Sequence, residues 1–70
     1  MTSDQLTQWR STLGWSAKRA ADELGVSYAQ YRWYEKGWRD GKDGRPVTIP
    51  HTVGLACSAL LHRLPPYGGQ

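Results

Sequence analysis

The stretch that decides the fold runs from Ser16 to Gly37 and reads S-A-K-R-A-A-D-E-L-G-V-S-Y-A-Q-Y-R-W-Y-E-K-G. Gly25 divides it into two short amphipathic segments, and Ser16 and Ser27 stand where helix N-caps are expected. Two helices joined by a turn of three or four residues that contains Gly make a helix-turn-helix. The spacing therefore predicts a helix over 16–24 and a recognition helix over 27–37.

One further helix is predicted on each side of this stretch. Leu6, Trp9 and Leu13 recur at helical spacing and predict a first helix over 3–13. The last helix is predicted over 50–63, where apolar residues are too many to form one stripe.

Together these segments predict an all-α fold, a compact four- to five-helix bundle that contains the helix-turn-helix. We expect one domain over 1–64, and a flexible tail over 65–70, which begins with two prolines. The predicted elements are helices over about 3–13, 16–24, 27–37 and 50–63, and a long loop over 38–49.

The composition limits the classes of protein that remain. Nine Lys and Arg against six Asp and Glu give a net charge of +3, which favours polyanionic partners. A single cysteine, Cys57, excludes an internal disulfide. The first residues lack the basic and apolar regions of a signal peptide, and no apolar run is long enough for a membrane span. We therefore expect a soluble intracellular protein with no membrane partner.

The recognition helix has two unlike faces. At about 100° per residue, three side chains lie within about 60° of Tyr31 and predict an aromatic inner face: Ser27, Tyr34 and Trp38. Glu35 lies on this inner side, where a half-buried carboxylate needs a partner. Arg10 on the first helix is the expected partner, which predicts a structural ion pair between Arg10 and Glu35.

The outer face is predicted to bind DNA. Base contacts are predicted for Arg32, Trp33, Tyr28, Ala29 and Lys36, and phosphate contacts for Lys18, Arg19, Ser27, Arg39, Lys42 and Arg45. The alternative is a solvated helix surface, because acidic residues are mixed with the basic ones. For Trp33, contact with DNA and packing against the core edge or the long loop are equally consistent with the sequence.

The last helix is predicted to bury a second apolar face against another copy of the chain. The predicted dimer interface consists of Val53, Leu55, Leu60, Leu61 and Leu64.

Neither a metal site nor a catalytic site is predicted. His51, Cys57 and His62 lack the number and spacing of structural zinc ligands. The segment G-K-D-G-R over 41–45 lacks the preceding strand and following helix of a phosphate-binding loop. We expect no metal, no cofactor, no small-molecule substrate and no enzymatic activity.

The residues over 15–37 resemble the Cro/cI-type (XRE) helix-turn-helix family. In that family an S/T-x-x-x-x-A-x-x-L-G-V-S core precedes a recognition helix that ends in W/Y-E-x-G. The matching positions here are Ala21, Leu24, Gly25, Val26, Ser27, Tyr34, Glu35 and Gly37. The segment P-H-T-V-G-L-A-C-S-A-L over 50–60 resembles the fourth helix of the same family.

A narrower resemblance is to the small phage anti-CRISPR-associated (Aca) repressors. The shared features are the basic pair Lys18–Arg19, the run Y-R-W-Y over 31–34, and the P-x-T-V start of the last helix. This resemblance implies a homodimeric repressor of its own operon that binds a palindromic operator in double-stranded DNA. It makes Arg32 the leading base-reading residue, and it implies a location in the cytoplasm of a bacterial host, on the nucleoid when bound.

Two alternatives remain at this point. The chain is also consistent with the antitoxin of a toxin–antitoxin pair, which would bind DNA in the same way. It is consistent, too, with a protein-interaction or inhibitor module on a helix-turn-helix scaffold, which an outward Trp33 and the apolar last helix would favour.

Overall fold

The computed structural model describes residues 1–39, 41 and 44–68, which form an all-α fold with four helices. The helices are α1 Ser3–Leu13, α2 Ala17–Leu24, α3 Tyr28–Lys36 and α4 His51–Leu61. This confirms the predicted fold class. Of the predicted site residues, Lys42 lies outside the described residues.

The helix ends lie close to the predicted ones. Ser16 and Ser27 have extended backbones and act as N-caps, so α2 and α3 each begin one residue later than predicted. Their hydroxyl oxygens accept hydrogen bonds from the Arg19 and Gln30 backbone N–H groups at 3.2 and 3.1 Å. Gly25 ends α2 at φ 71°, in the left-handed region that favours glycine.

The helix α4 is shorter than the predicted 50–63. It starts at His51, because Pro50 takes the N-cap position, and it ends at Leu61. The next two residues form a turn, in which Arg63 has a positive φ of 56°. None of the helices in the described part of the chain combines the length and apolar character needed to cross a membrane.

The core lies where the four helices meet. Both α1 and α2 pack on α3, and α4 packs on α1 and α2. Trp9 of α1 donates a hydrogen bond through its Nε1 to the backbone carbonyl of Cys57 in α4, at 2.9 Å. The buried residues are Leu6, Trp9, Ala20, Ala21, Tyr31, Tyr34, Ile49 and Cys57. The alanines at the centre of α2 let it approach its neighbours closely.

Trp38 was predicted on the inner aromatic face, and this prediction is wrong. The helical wheel assumes a helix through position 38, whereas α3 ends at Lys36 and Gly37 turns the chain at φ 89°. Trp38 therefore lies outside the helix, pairs with Pro46 in an antiparallel β-bridge, and is 51% exposed. Ser27 also lies outside the core, because it is the exposed N-cap of α3.

Candidate nucleic-acid interface

The turn between α2 and α3 is closed by backbone hydrogen bonds. The Val26 N–H donates to the Ala21 carbonyl at 3.1 Å, and the Gly25 N–H donates to Asp22 at 3.1 Å. This pattern satisfies two of the carbonyls in the last turn of α2 and directs the chain into the Ser27 cap. The Val26 side chain packs against the core, so the angle between the two helices is set by both the backbone and the core.

The inner side of α3 is tied to α1 through Glu35. Arg10 Nε donates to Glu35 Oε2 at 2.7 Å, and Arg10 Nη2 donates to Oε1 at 3.3 Å. The Tyr31 hydroxyl donates to Glu35 Oε2 at 2.7 Å, and Arg10 Nη1 donates to the Trp15 carbonyl at 3.2 Å. The structure thus brings Arg10 and Glu35 together, and adds Tyr31 as a second donor to the carboxylate.

These contacts shift the pKa values of the groups involved. Burial raises the pKa of the Glu35 carboxyl, but the hydrogen bonds from Arg10 and Tyr31 outweigh it, so the net shift is downward. Burial, together with the hydrogen bond to Glu35, raises the pKa of the Tyr31 hydroxyl. Tyr31 is therefore a neutral donor and Glu35 a carboxylate at neutral pH.

A second set of contacts fixes the C-terminal half of α3. Ser3 Oγ donates to the Tyr34 backbone carbonyl at 2.6 Å, and Gln30 Nε2 donates to the Tyr34 hydroxyl at 3.0 Å. A Cβ at Gly37 would lie 3.3 Å from Ser3 Oγ, so glycine here serves both the positive φ and the close approach to α1. Rotation of α3 about its axis would break the bond from Ser3, whereas the Gln30–Tyr34 bond lies within the helix.

Arg32 lies on the outer side of α3, close to the exposed start of the helix. The Arg32 side chain is 41% exposed, and its Nη1 lies 3.6 Å from Glu35 Oε1. Tyr28 and Ala29, one turn earlier, are exposed. The Ser27 hydroxyl oxygen already accepts the Gln30 N–H, which leaves its own hydrogen as the donor for a phosphate.

Trp33 is covered by the loop that follows α3. The Arg39 guanidinium lies over the Trp33 ring, 4.9 Å from its centroid, and the Trp33 side chain is half-buried. Trp33 thus packs against the loop, and its contact with DNA stays a prediction. Lys36, at the end of the same helix, is also partly buried.

The loop after α3 folds back on itself as a short hairpin, here called the loop hairpin, in which residues 37–39 pair with 45–47. The Arg39 N–H donates to the Arg45 carbonyl at 2.8 Å, and the Val47 N–H donates to the Gly37 carbonyl at 3.0 Å. Because Trp38 pairs with Pro46 in antiparallel register, Arg39 and Arg45 stand opposite each other on one face. Through Arg39, this face adjoins the outer side of α3.

The basic pair at the start of α2 is also exposed. Lys18 and Arg19 both lie on the surface, and the Arg19 guanidinium stacks on the Trp15 ring at 4.8 Å from its centroid. Trp15 in turn meets the buried Trp9 edge-on, with ring centroids 5.6 Å apart. The Arg19 guanidinium is therefore stacked on an aromatic side chain that itself contacts the core, whereas Lys18 lies in the first turn of α2.

The five residues predicted for a dimer interface fall into two groups. Val53 and Leu60 are partly buried and pack against the protein's own core. Leu55 and Leu64 are 58% and 60% exposed, and Leu61 is exposed as well. The second group presents the larger exposed apolar surface, and the dimer interface itself stays a prediction. Among the described residues, no three His, Cys, Asp or Glu side chains are grouped as metal ligands.

The sequence prediction missed two polar contacts within α3. Tyr31 was assigned to the core as an apolar residue, and Gln30 was given no role. Both are donors to a residue four positions later, Glu35 and Tyr34 respectively. Spacing by four on one helix was the available signal, because such side chains are neighbours on its surface.

The fold and this surface define a small all-α domain built around a helix-turn-helix. The chain is similar to the HTH-type transcriptional regulator AnsR of Bacillus subtilis (strain 168), with 32% identity over 63 residues. The matched region covers 90% of this chain and 54% of AnsR, so the chain spans about half the length of that relative. No protein-family model matches the chain, and no solved structure matches it significantly. The similarity supports a helix-turn-helix regulator family for this chain.

Proposed function

We propose that this chain is a sequence-specific DNA-binding transcriptional regulator. Two copies bind an inverted repeat, each with its α3 in the major groove, and repress the protein's own operon, of the phage anti-CRISPR type. The observation that carries the proposal is the orientation of α3, whose inner side is bound to α1 while Arg32 faces outward. The similarity to a helix-turn-helix transcriptional regulator supports it. In this role the protein acts in the bacterial cytoplasm and needs no cofactor.

The proposed DNA surface separates base reading from phosphate binding. Arg32 reads a guanine through its O6 and N7 atoms, with Ala29 and Tyr28 beside it at the start of the helix. Phosphate contacts come from two sides: Lys18 and Arg19 on α2, and Arg39 and Arg45 on the loop hairpin. Phosphate contacts set the register of the protein on the duplex and add affinity without sequence preference. In a twofold complex the two α3 helices lie roughly 34–36 Å apart, one turn of DNA.

The experiment is a selection of binding sites from random double-stranded DNA with the purified protein, followed by titration of Arg32→Ala on the selected site. We expect an inverted repeat with half-sites about one helical turn apart. Loss of one bidentate contact costs about 1–3 kcal/mol per half-site, so the variant should lose specific binding almost completely. Circular dichroism checks that it remains folded.

The matched control is Lys18→Ala, which removes an exposed basic side chain that is proposed to contact a DNA phosphate. It should weaken binding to all sequences alike and lower the salt slope by about one unit per subunit, with the selected sequence unchanged. Retention of operator affinity by Arg32→Ala would remove Arg32 from base reading. A flat salt response together with no selected sequence would contradict DNA binding altogether.

The exposed leucines of α4 favour a second candidate, a protein-interaction module on the same scaffold. Leu55, Leu61 and Leu64 present apolar surface that the described part of the fold does not cover. Trp33, the other feature that suggested this role, is half-buried under Arg39 and no longer supports it. The same random-site selection separates the candidates, because an interaction module would enrich no DNA sequence.

A further inference from the structure

Glu35 stands between two arginines that belong to different surfaces. On its inner side Arg10 holds the carboxylate through two hydrogen bonds, and Tyr31 adds a third. On its outer side Arg32 approaches Oε1 to within 3.6 Å. The Glu35 side chain is 7% exposed, whereas that of Arg32 is 41% exposed. A largely buried carboxylate that accepts three hydrogen bonds thus lies directly behind an exposed guanidinium.

We propose that Glu35 is a positioning residue for Arg32 and so determines how strictly the protein discriminates between bases. This inference rests on the proposed DNA-binding function. Glu35 holds the Arg32 guanidinium in the orientation that reads a base, and it does so from a fixed position because the two hydrogen bonds from Arg10 prevent the carboxylate from following Arg32. The partly buried Arg10–Glu35 ion pair therefore serves recognition as well as folding.

The geometry of the guanidinium allows both contacts at once. Arginine carries five N–H donors, of which a bidentate contact with guanine uses two, so donors remain for Glu35. A free arginine side chain has many rotamers, and each one lost on binding lowers the affinity. Restricting Arg32 before DNA arrives reduces that loss for the correct base. The same restriction gives no advantage when Arg32 contacts a phosphate of non-specific DNA.

The negative charge of Glu35 also favours specific binding over non-specific binding. A carboxylate on the inner side of Arg32 lowers the positive potential at the centre of the proposed surface, which weakens contact with arbitrary phosphates. Removing that charge should therefore have opposite effects on the two kinds of binding. Affinity for random DNA should rise, while the preference for the selected base should fall.

The test compares Glu35→Gln with wild-type protein on the selected operator, on operators changed at the positions that Arg32→Ala relaxes, and on random DNA. All titrations are done at a temperature at which circular dichroism shows the variant folded. We expect discrimination at the Arg32 positions to fall roughly 3- to 10-fold, less than the loss of the whole bidentate contact. Preferences at other operator positions should stay unchanged.

Two control variants separate positioning from structural damage and from simple charge. Tyr31→Phe removes a hydrogen bond to the same carboxylate oxygen but leaves the Arg32 approach to Oε1 intact. Glu23→Gln removes one exposed carboxylate from α2, on the side that faces α4. Both should retain the base preference. If Glu35→Gln keeps full discrimination at the Arg32 positions, or if Tyr31→Phe loses as much, the inference is wrong.

A measurement on wild-type protein covers the case in which Glu35→Gln does not fold. Nitrogen-15 relaxation of the arginine Nε–H groups should show Arg32 more restricted on the ps–ns timescale than exposed Arg63. Equal mobility of the two would overturn the inference. Failure of the proposed function looks different: wild-type protein would then select no sequence, whereas failure of the inference leaves selection and the Arg32→Ala effect in place.

Discussion

The helices α3 and α4 are attached to the rest of the protein in contrasting ways. Directional polar contacts hold α3 to α1, from Arg10 to Glu35 and from Ser3 to the Tyr34 carbonyl. In contrast, α4 packs on the rest of the protein mainly through apolar side chains. One hydrogen bond, from Trp9 Nε1 to the Cys57 carbonyl, also joins it to α1. Hydrogen bonds and ion pairs specify an orientation, whereas apolar burial is non-directional.

The difference corresponds to what each helix must do in the proposed complex. A recognition helix has to present Arg32 at a defined angle, so its rotation about its own axis must be fixed. A helix that contacts a second subunit needs apolar area outside the core, and α4 keeps Leu55, Leu61 and Leu64 exposed. The predictions below test this contrast in order of decreasing effect on the free energy of unfolding.

The largest effect is expected for Glu35→Ala. The change leaves Arg10 and Tyr31 without their partner in a poorly solvated site. Breaking a fully buried pair costs about 3–5 kcal/mol, and because Arg10 is 23% exposed we expect about 2–3 kcal/mol here. Urea denaturation measures the loss. Glu23→Ala, at an exposed position on α2, is the control and should stay within about 0.5 kcal/mol.

Acid should remove part of the same stabilisation. Since the pKa of Glu35 is lowered in the folded state, its contribution is complete above the ordinary value of 4.5 and is lost as the pH falls through the lowered pKa. The free energy of unfolding of wild-type protein should therefore decrease below pH 4.5, and that of Glu35→Gln should decrease less. Parallel pH profiles for the two proteins would show that Glu35 is not the group responsible.

A smaller effect is expected for Trp9→Phe. The variant loses the hydrogen bond to the Cys57 carbonyl and removes part of the indole volume. Together these changes cost about 1–2 kcal/mol, less than Glu35→Ala. Trp38→Phe, which alters an exposed indole, is the matched control. A loss equal to that of Glu35→Ala would mean that polar contacts matter as much for α4 as for α3.

The smallest effect on unfolding is expected for Leu55→Lys and Leu64→Lys. Both side chains are exposed, so at protein concentrations where the chain is monomeric each change should stay within about 0.5 kcal/mol. Self-association, measured by sedimentation equilibrium, should instead weaken in whichever variant lies in the proposed dimer interface. Ser58→Lys, exposed on the same helix, controls for the added charge. Unchanged association in both variants would exclude these leucines from a dimer interface.

The sequence predicted the features that depend on local chemistry. Ser16, Ser27 and Gly25 are found at the helix ends, because caps are decided by a few neighbouring residues. The Arg10–Glu35 pair was predictable because an inward carboxylate needs a partner. Predictions failed or were incomplete where the backbone leaves a regular helix. Trp38 follows a left-handed glycine, and the position of Arg39 over Trp33 depends on how the loop hairpin returns.

The burial of Cys57 has a practical consequence. It is the only cysteine in the sequence, it lies in the core against α1, and burial raises the pKa of its thiol to about 11. The thiolate reacts with alkylating reagents and the thiol does not, so in the folded protein Cys57 is protected twice, by burial and by protonation. Its rate of labelling therefore reports the opening of α4 away from α1. A cysteine introduced on the surface can carry a probe selectively while the native one stays unreacted.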